Sequence, residues 1–203
     1  MKIICIGRNY SEHAKELGNE IPKEPLFFLK PDTAILPLRQ PLVIPEFTND
    51  LHYEVELVYK INRLGKYIAE EFASRYYTSV GIGIDFTARD LQEECKRKGL
   101  PWEKAKAFDG SAAISRTFLD LTNFESNDIN FRLEKNGEIV QAGCNREMIF
   151  SPDKLIEHVS KFITLRTGDL LFTGTPSGVG QVVPGDRLEA FIGDKSLLKV
   201  EIR

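Results

Sequence analysis

The chain has 203 residues, enough for one well-filled hydrophobic core rather than several. Its hydrophobic content of 42% and charged content of 28% are ordinary for a globular protein, and a net charge of −3 with mixed signs supplies no basic field to attract nucleic acid. No run of 18 apolar residues occurs, which excludes a transmembrane helix and predicts no membrane partner.

Taken in chain order, KIICI (2–6) reads as a buried strand, and the sequence turns polar after Ile6, too early for a secretory signal. The three cysteines, Cys5, Cys95 and Cys144, are odd in number and widely spaced. They predict neither a disulfide scaffold nor a zinc knuckle, and fit structural thiols in a reducing cytoplasm. NYSEHAKELGNE (9–20) predicts a short helix opened by Ser11 and closed by Gly18. His13 and Glu16, three apart, share one of its faces. A carboxylate beside an imidazole orients the ring and raises its basicity, as a general base requires, although the same pair can be a surface ion pair of no consequence. So short a helix is marginal alone and would be ordered by what it packs against, which suits a lid.

EPLFFLKP (24–31) is a second strand. NDLHYEVELVYK (49–60) predicts a third, with Leu51, Tyr53, Val55, Leu57 and Tyr59 on one face and His52, Glu54, Glu56, Val58 and Lys60 on the other. Two glutamates then stand about 7 Å apart on one side of a strand, where like charges repel. A helix is expected over 69–76. In YTSVGIGIDFTARD (77–90), Val80, Ile82, Ile84 and Phe86 alternate with Gly81, Gly83 and Asp85. Glycines inside a strand mark close approach by a ligand or by other parts of the chain, and both readings stand at this stage. Thr87 and Asp90 predict a capping box for a helix to Lys98, stopped by Gly99 and Pro101.

GLPWEKAKAFDG (99–110) holds the single tryptophan, with Lys104, Lys106 and Asp109 around it. FRLEKNGEIVQA (131–142) is a hairpin about Asn136-Gly137, which supply the positive φ angles of a type I′ turn. Ser151-Pro152-Asp153 opens another helix with Leu155, Ile156, Val159, Phe162 and Ile163 as its apolar stripe. DLLFTGTP (169–176) is a strand entering a glycine-rich loop that lacks the ending of a phosphate-binding P-loop, and residues 186–203 form a last strand pair. Short strands outnumber helices, so the class is α+β, in a single domain spanning 1–203.

Glu54, Glu56 and Asp85 together would make an all-oxygen site for a hard cation, for which Mg²⁺ is well suited, and a dication would remove their mutual repulsion. The alternative is a solvent-facing strand side on which the glutamates pair with Lys60 and nearby arginines. His52 shares their face and is either a fourth ligand or a structural hydrogen-bonding group.

GRNYSEHAKE, FFLKP, LHYEVEL, GIDFTARDLQEECKRKGLPWEKAKAFD and LLFTGTPSGVG, in this order, resemble the fumarylacetoacetate hydrolase family. The likeness is to its short single-domain branch of acylpyruvate hydrolases and oxaloacetate decarboxylases, and runs from about residue 5 to the C-terminus. The resemblance implies a mixed β-roll with surrounding helices, usually dimeric, with Glu54, Glu56 and Asp85 holding Mg²⁺ or Mn²⁺. It further implies a catalytic His13–Glu16 pair on a mobile lid, Lys106 facing substrate oxygens, and Arg8, Lys30, Gln92 and Thr175 near a bound 2-oxo acid. The expected reaction is cleavage of the C–C bond of acylpyruvates through a metal-stabilised pyruvate enolate, with oxaloacetate decarboxylation as a second activity. The alternatives are the isomerisation of 2-hydroxyhepta-2,4-diene-1,7-dioate and a binding protein with a vestigial metal site. After KAFD the family continues with threonine or serine and a proline-containing segment, whereas this chain reads GSAAIS, which bears on pocket shape but not on the carboxylates.

Overall fold

The computed structural model describes residues 1–12, 21–124 and 128–203. Its strands, in chain order, are β1 (Ile3–Gly7), β2 (Leu26–Lys30), β3 (Leu51–Tyr53), β4 (Val55–Ile61), β5 (Tyr77–Asp85), β6 (Thr87–Ala88), β7 (Ala112–Ile114) and β8 (Leu119–Asp120). They continue with β9 (Asn130–Lys135), β10 (Glu138–Cys144), β11 (Leu170–Phe172), β12 (Gly180–Gln181), β13 (Arg187–Ile192) and β14 (Lys195–Glu201). The described helices are α1 (Glu70–Ala73), α2 (Arg89–Lys98), α3 (Glu103–Lys106) and α4 (Pro152–Phe162), none long and apolar enough to cross a membrane.

The expected strand-rich α+β roll is what forms. A mixed seven-stranded sheet runs β2-β1-β11-β4-β5-β7, with β8 also on β5; β1 and β11 are parallel and the other pairs antiparallel. An antiparallel sheet, β10-β9-β13-β14, faces it, and a small sheet β12-β3-β6 lies beside the site. Leu57, Tyr59, Ile82 and Ile84 meet Leu133, Leu188, Ala190 and Val200 in one buried cluster between the large sheets. A second cluster, Ile3, Cys5, Val58, Leu170 and Phe172, covers the opposite face of the first sheet. The three cysteines are free and buried.

Asn136 (φ 55°) and Gly137 (φ 88°) turn the β9–β10 hairpin as the sequence predicts. Ser151 caps α4 by accepting the Lys154 N–H, and Gly99 (φ 66°) ends α2. Three expectations fail for tertiary reasons. Residues 49–60 are not one strand, because the backbone leaves strand geometry at Glu54 and joins two different sheets there. Thr87 does not cap α2: it lies in β6, and its hydroxyl accepts from Lys106 Nζ, while Asp90 accepts from Thr48 Oγ1 and Asn49 N. Phe162 leaves the stripe of α4 to stand 60% exposed, in contact with Phe27 and His158.

The strand glycines answer to packing. A Cβ on Gly83 would lie 2.6 Å from the Phe172 ring and 2.9 Å from Val58, and one on Gly81 would lie 2.7 Å from Ser115 Oγ. These side chains fill the room that the glycines leave. Gly83→Ala is therefore expected to overpack the central sheet, costing about 1–3 kcal/mol and lowering the melting temperature by roughly 2–10 °C; an unchanged melting temperature would show that Phe172 yields freely.

Candidate active site

The register of β4 against β5 determines which acids meet. Glu56 pairs with Gly83 and Val58 with Gly81, and the Asp85 N–H donates to the Glu54 carbonyl at 2.8 Å. Glu54 and Asp85 are thus neighbours across the sheet, and Glu56 faces a residue without a side chain. All three are buried, at 5%, 1% and 1% exposure, and one carboxylate oxygen from each lies within 4.8 Å of the others. The solvent-facing alternative for Glu54 and Glu56 is overturned.

Burying three carboxylates together is costly unless cations and N–H donors surround them. Lys106, delivered by α3, places Nζ 2.7 Å from Glu54 Oε2, 2.9 Å from Asp85 Oδ2 and 2.5 Å from Thr87 Oγ1. Burial pulls its ammonium toward neutrality, but Asp85 and Glu54 outweigh that and hold it above the ordinary lysine value. Arg89 donates to Glu54 Oε1 at 2.5 Å and to Gln92 Oε1 at 2.5 Å. Lys30 lies 2.7 Å from Asp85 Oδ1 and donates to Ser111 Oγ and to the Lys106 carbonyl. It is 1% exposed and stands behind Asp85, outside the lining of the cleft.

Glu56 is held differently. Its Oε2 accepts the Gly174 N–H at 2.6 Å, so the glycine-rich loop binds a carboxylate of its own chain. Gly174 has φ 95°, and a Cβ there would lie 2.8 Å from that of Asn9. Burial, then Asp85 and Glu54, push the Glu56 carboxyl well above the usual range. His52 is not directed at the acids: its Nε2 bonds Asp50 at 2.9 Å, and burial and Arg89 depress its basicity.

A cleft opens over the cluster, lined by Arg8, Phe28, Glu54, Glu56, Asp85, Arg89, Gln92, Lys96, Trp102, Lys106 and Thr175 among others. The structure therefore brings Arg8, Gln92, Thr175 and Lys106 to one cavity with the acids. His13 and Glu16 lie outside the described residues. Arg8 takes a left-handed φ of 59° at the end of β1, an unfavourable conformation for arginine that recurs at functional sites. Thr175 is fixed from the second sheet, since Gln141 Nε2 donates to its Oγ1 at 2.8 Å while Gln141 Oε1 accepts from Val55 N–H.

Two positioning residues escape sequence reasoning. Arg89 lies three residues before Gln92, a spacing that was visible but carried no charge partner in the sequence. Asn9, fully buried, donates to the carbonyls of Thr173 and Phe150 and accepts the Phe150 N–H, tying the end of β1 to the loop after β11. No periodicity in the sequence marks it.

The donor set fits a hard divalent ion. Each carboxylate oxygen that accepts one N–H retains a second lone-pair direction, and a cation would relieve the repulsion that raises Glu56. The chain matches the model of the fumarylacetoacetate hydrolase C-terminal domain over residues 2–203, and it belongs to the fumarylacetoacetate hydrolase family.

Among its relatives, the oxaloacetate tautomerase YcgM of Escherichia coli is 42% identical over 198 residues, covering 97% of this chain and 90% of that protein. The mitochondrial oxaloacetate tautomerase FAHD1 of Mus musculus is 41% identical over 201 residues, covering 99% and 91%. The structure is similar to that of fumarylpyruvate hydrolase from Pseudomonas aeruginosa in complex with Mn²⁺ and pyruvate (TM-score 0.93, 36% identity, covering 100% of this chain and 89% of the other). It is also similar to 5-carboxymethyl-2-hydroxymuconate delta-isomerase from Mycobacterium smegmatis (TM-score 0.84, 31% identity, covering 99% and 78%).

A carboxyl whose pKa is raised by folding stabilises the fold while protonated, below its unfolded value, and that contribution is lost as pH rises through the folded value. Glu56→Gln should therefore stabilise the metal-free protein relative to wild type increasingly as pH climbs above the ordinary carboxylate range. Added Mn²⁺ should raise the melting temperature of wild type much more than that of the variant. Parallel pH profiles for the two proteins would contradict the charge assignment.

Proposed function

We propose that this chain is a divalent-metal-dependent enzyme of 2-oxo acid chemistry whose first reaction is the interconversion of the enol and keto forms of oxaloacetate. The observation that carries this reading is the buried Glu54–Glu56–Asp85 cluster with the Lys106 ammonium set between two of its members, at the base of a cleft. The relatives named as oxaloacetate tautomerases, matching over nearly the whole chain, support the choice of reaction.

Glu54, Glu56 and Asp85 would hold Mg²⁺ or Mn²⁺, and such an ion would supply Lewis-acid stabilisation of enolate charge. Lys106 stays an ammonium because its carboxylate neighbours hold it so; it acts as a fixed donor and positive charge, not as a base. Arg8, Gln92 and the Thr175 hydroxyl line the same cleft and orient the carboxylate next to the 2-oxo group. Arg89 and Lys30 hold Glu54 and Asp85 in place. Ketonisation removes the enol O–H proton and adds one at C3, and the His13–Glu16 pair is assigned that transfer. A cytoplasmic homodimer belongs to the same proposal.

A second reading, hydrolysis of acylpyruvates, draws support from the likeness to the fumarylpyruvate hydrolase. There the His13–Glu16 pair would take a proton from the water that attacks the acyl carbonyl, and the electron pair of the broken C–C bond would go to the pyruvate enolate.

With Mn²⁺ or Mg²⁺, the protein is expected to speed the disappearance of enol-oxaloacetate absorbance well beyond the metal alone. Chelation should abolish the effect, and Lys106→Met should lower kcat by about 100-fold or more. No acceleration with either metal would reject the tautomerase reading. Turnover of acetylpyruvate to pyruvate and acetate, lost in His13→Ala, would put hydrolysis in its place.

A further inference from the structure

We infer that Lys96 is a specificity-determining residue that binds the second carboxylate of the substrate, so that the site is built for 2-oxo dicarboxylates rather than for 2-oxo monoacids. This inference rests on the proposed oxaloacetate chemistry and adds to it the residue that reads the distal carboxylate.

Arg89, Gln92 and Lys96 are spaced three and four apart on α2, so they share one face of that helix, and all three line the cleft. Lys96 is one helical turn, about 6 Å, beyond Gln92. The cations of the site divide into two groups. Lys30, Lys106 and Arg89 each have a carboxylate of the cluster within 3 Å. Lys96 has no carboxylate within ion-pair distance among the described residues, although it is half-buried. Its ammonium stands 5.9 Å from the Trp102 ring centroid, and Trp102 is itself set edge-on against Phe28.

The Trp102 ring and the more distant Glu54 only partly compensate this half-buried ammonium, which has no acid within ion-pair distance among the described residues. Burial first, then Arg89 and Arg8, lower its affinity for the proton. An anion arriving in the cleft would remove that penalty. The three acids already have three committed cations, so a divalent ion leaves the site with excess positive charge. A dianionic substrate neutralises more of this excess than a monoanion, and its distal carboxylate is the group left for Lys96 once the pyruvoyl end is engaged at the acids and Lys106. Lysine suits this task, since a compact charge on a flexible stem can follow a carboxylate as the substrate turns.

Oxaloacetate and its 4-ethyl ester share the pyruvoyl unit, and the ester replaces the distal charge by a neutral ethoxycarbonyl group. In the Mn²⁺-loaded enzyme, Lys96→Gln should reduce the ratio of kcat/KM for oxaloacetate to that for the ester by at least about tenfold. Most of that change should lie in KM, and Lys96→Arg should keep most of the wild-type ratio. A ratio within about twofold of wild type, including an equal loss on both compounds, would overturn the assignment and leave Lys96 a support for Trp102. Calorimetric binding of the same two compounds to the Mn²⁺-loaded protein reads the contact without turnover. If neither compound is turned over, the tautomerase reading falls, while the binding ratio still decides the role of Lys96.

Discussion

The structure depends on a constraint that most proteins avoid: three carboxylates removed from water, with one oxygen of each within 4.8 Å of the others. Left alone they would not stay ionised, and a fold built around them would be poorly stable. What makes the arrangement tenable is a shell of matched charge drawn from four separate parts of the chain. Lys30 comes from β2, Arg89 from α2, Lys106 from α3, and a backbone N–H from the loop after β11. Each of these elements is fixed in turn by the sheet or by buried side chains such as Ser111, Gln141 and Asn9. The site and the fold are thus one electrostatic problem with one solution.

The compensation is uneven, and the unevenness is informative. Glu54 and Asp85 are bound by cations, whereas Glu56 rests on a backbone N–H, and burial together with its acidic neighbours pushes its carboxyl well above the usual range. A site meant only for structural rigidity would have evened this out with a further ammonium. Concentrating the strain on one carboxylate keeps the cluster receptive to an incoming dication, because the energy released on binding is largest where the existing solution is weakest.

Much of this was legible in the residues. The alternation in 49–60 and 77–86 put Glu54, Glu56 and Asp85 on shared faces, and Asn136-Gly137 located its hairpin, because both signals depend only on local geometry. Single motifs were ambiguous about burial: a strand face bearing two glutamates reads as solvated until α3 brings Lys106 across it. The capping box at Thr87 and Asp90 was a sound local inference defeated by distant partners, Lys106 for one residue and Thr48 for the other. Likewise Gly81 and Gly83 signalled a close approach, but not that aromatic side chains and Ser115, rather than a ligand, make it. Arg89 and Lys96 acquire meaning only when α2 is laid along the cleft, which no periodicity specifies.

The parallel pairing of β1 with β11 ties residues 3–5 to residues 170–172, and β11 alone joins β1 to β4 in the large sheet. During synthesis, the β1–β2 and β4–β5 pairs can form early, and Lys30 can reach Asp85 between them, yet the sheet pairing that joins β1 to β4 waits for β11. Closing so long a loop is entropically expensive and places this join late in folding. Because the Gly174 N–H arrives with that same strand, Glu56 gains its hydrogen bond only as β11 closes the large sheet, so the last of the three acids is fixed by the same late join that completes the fold.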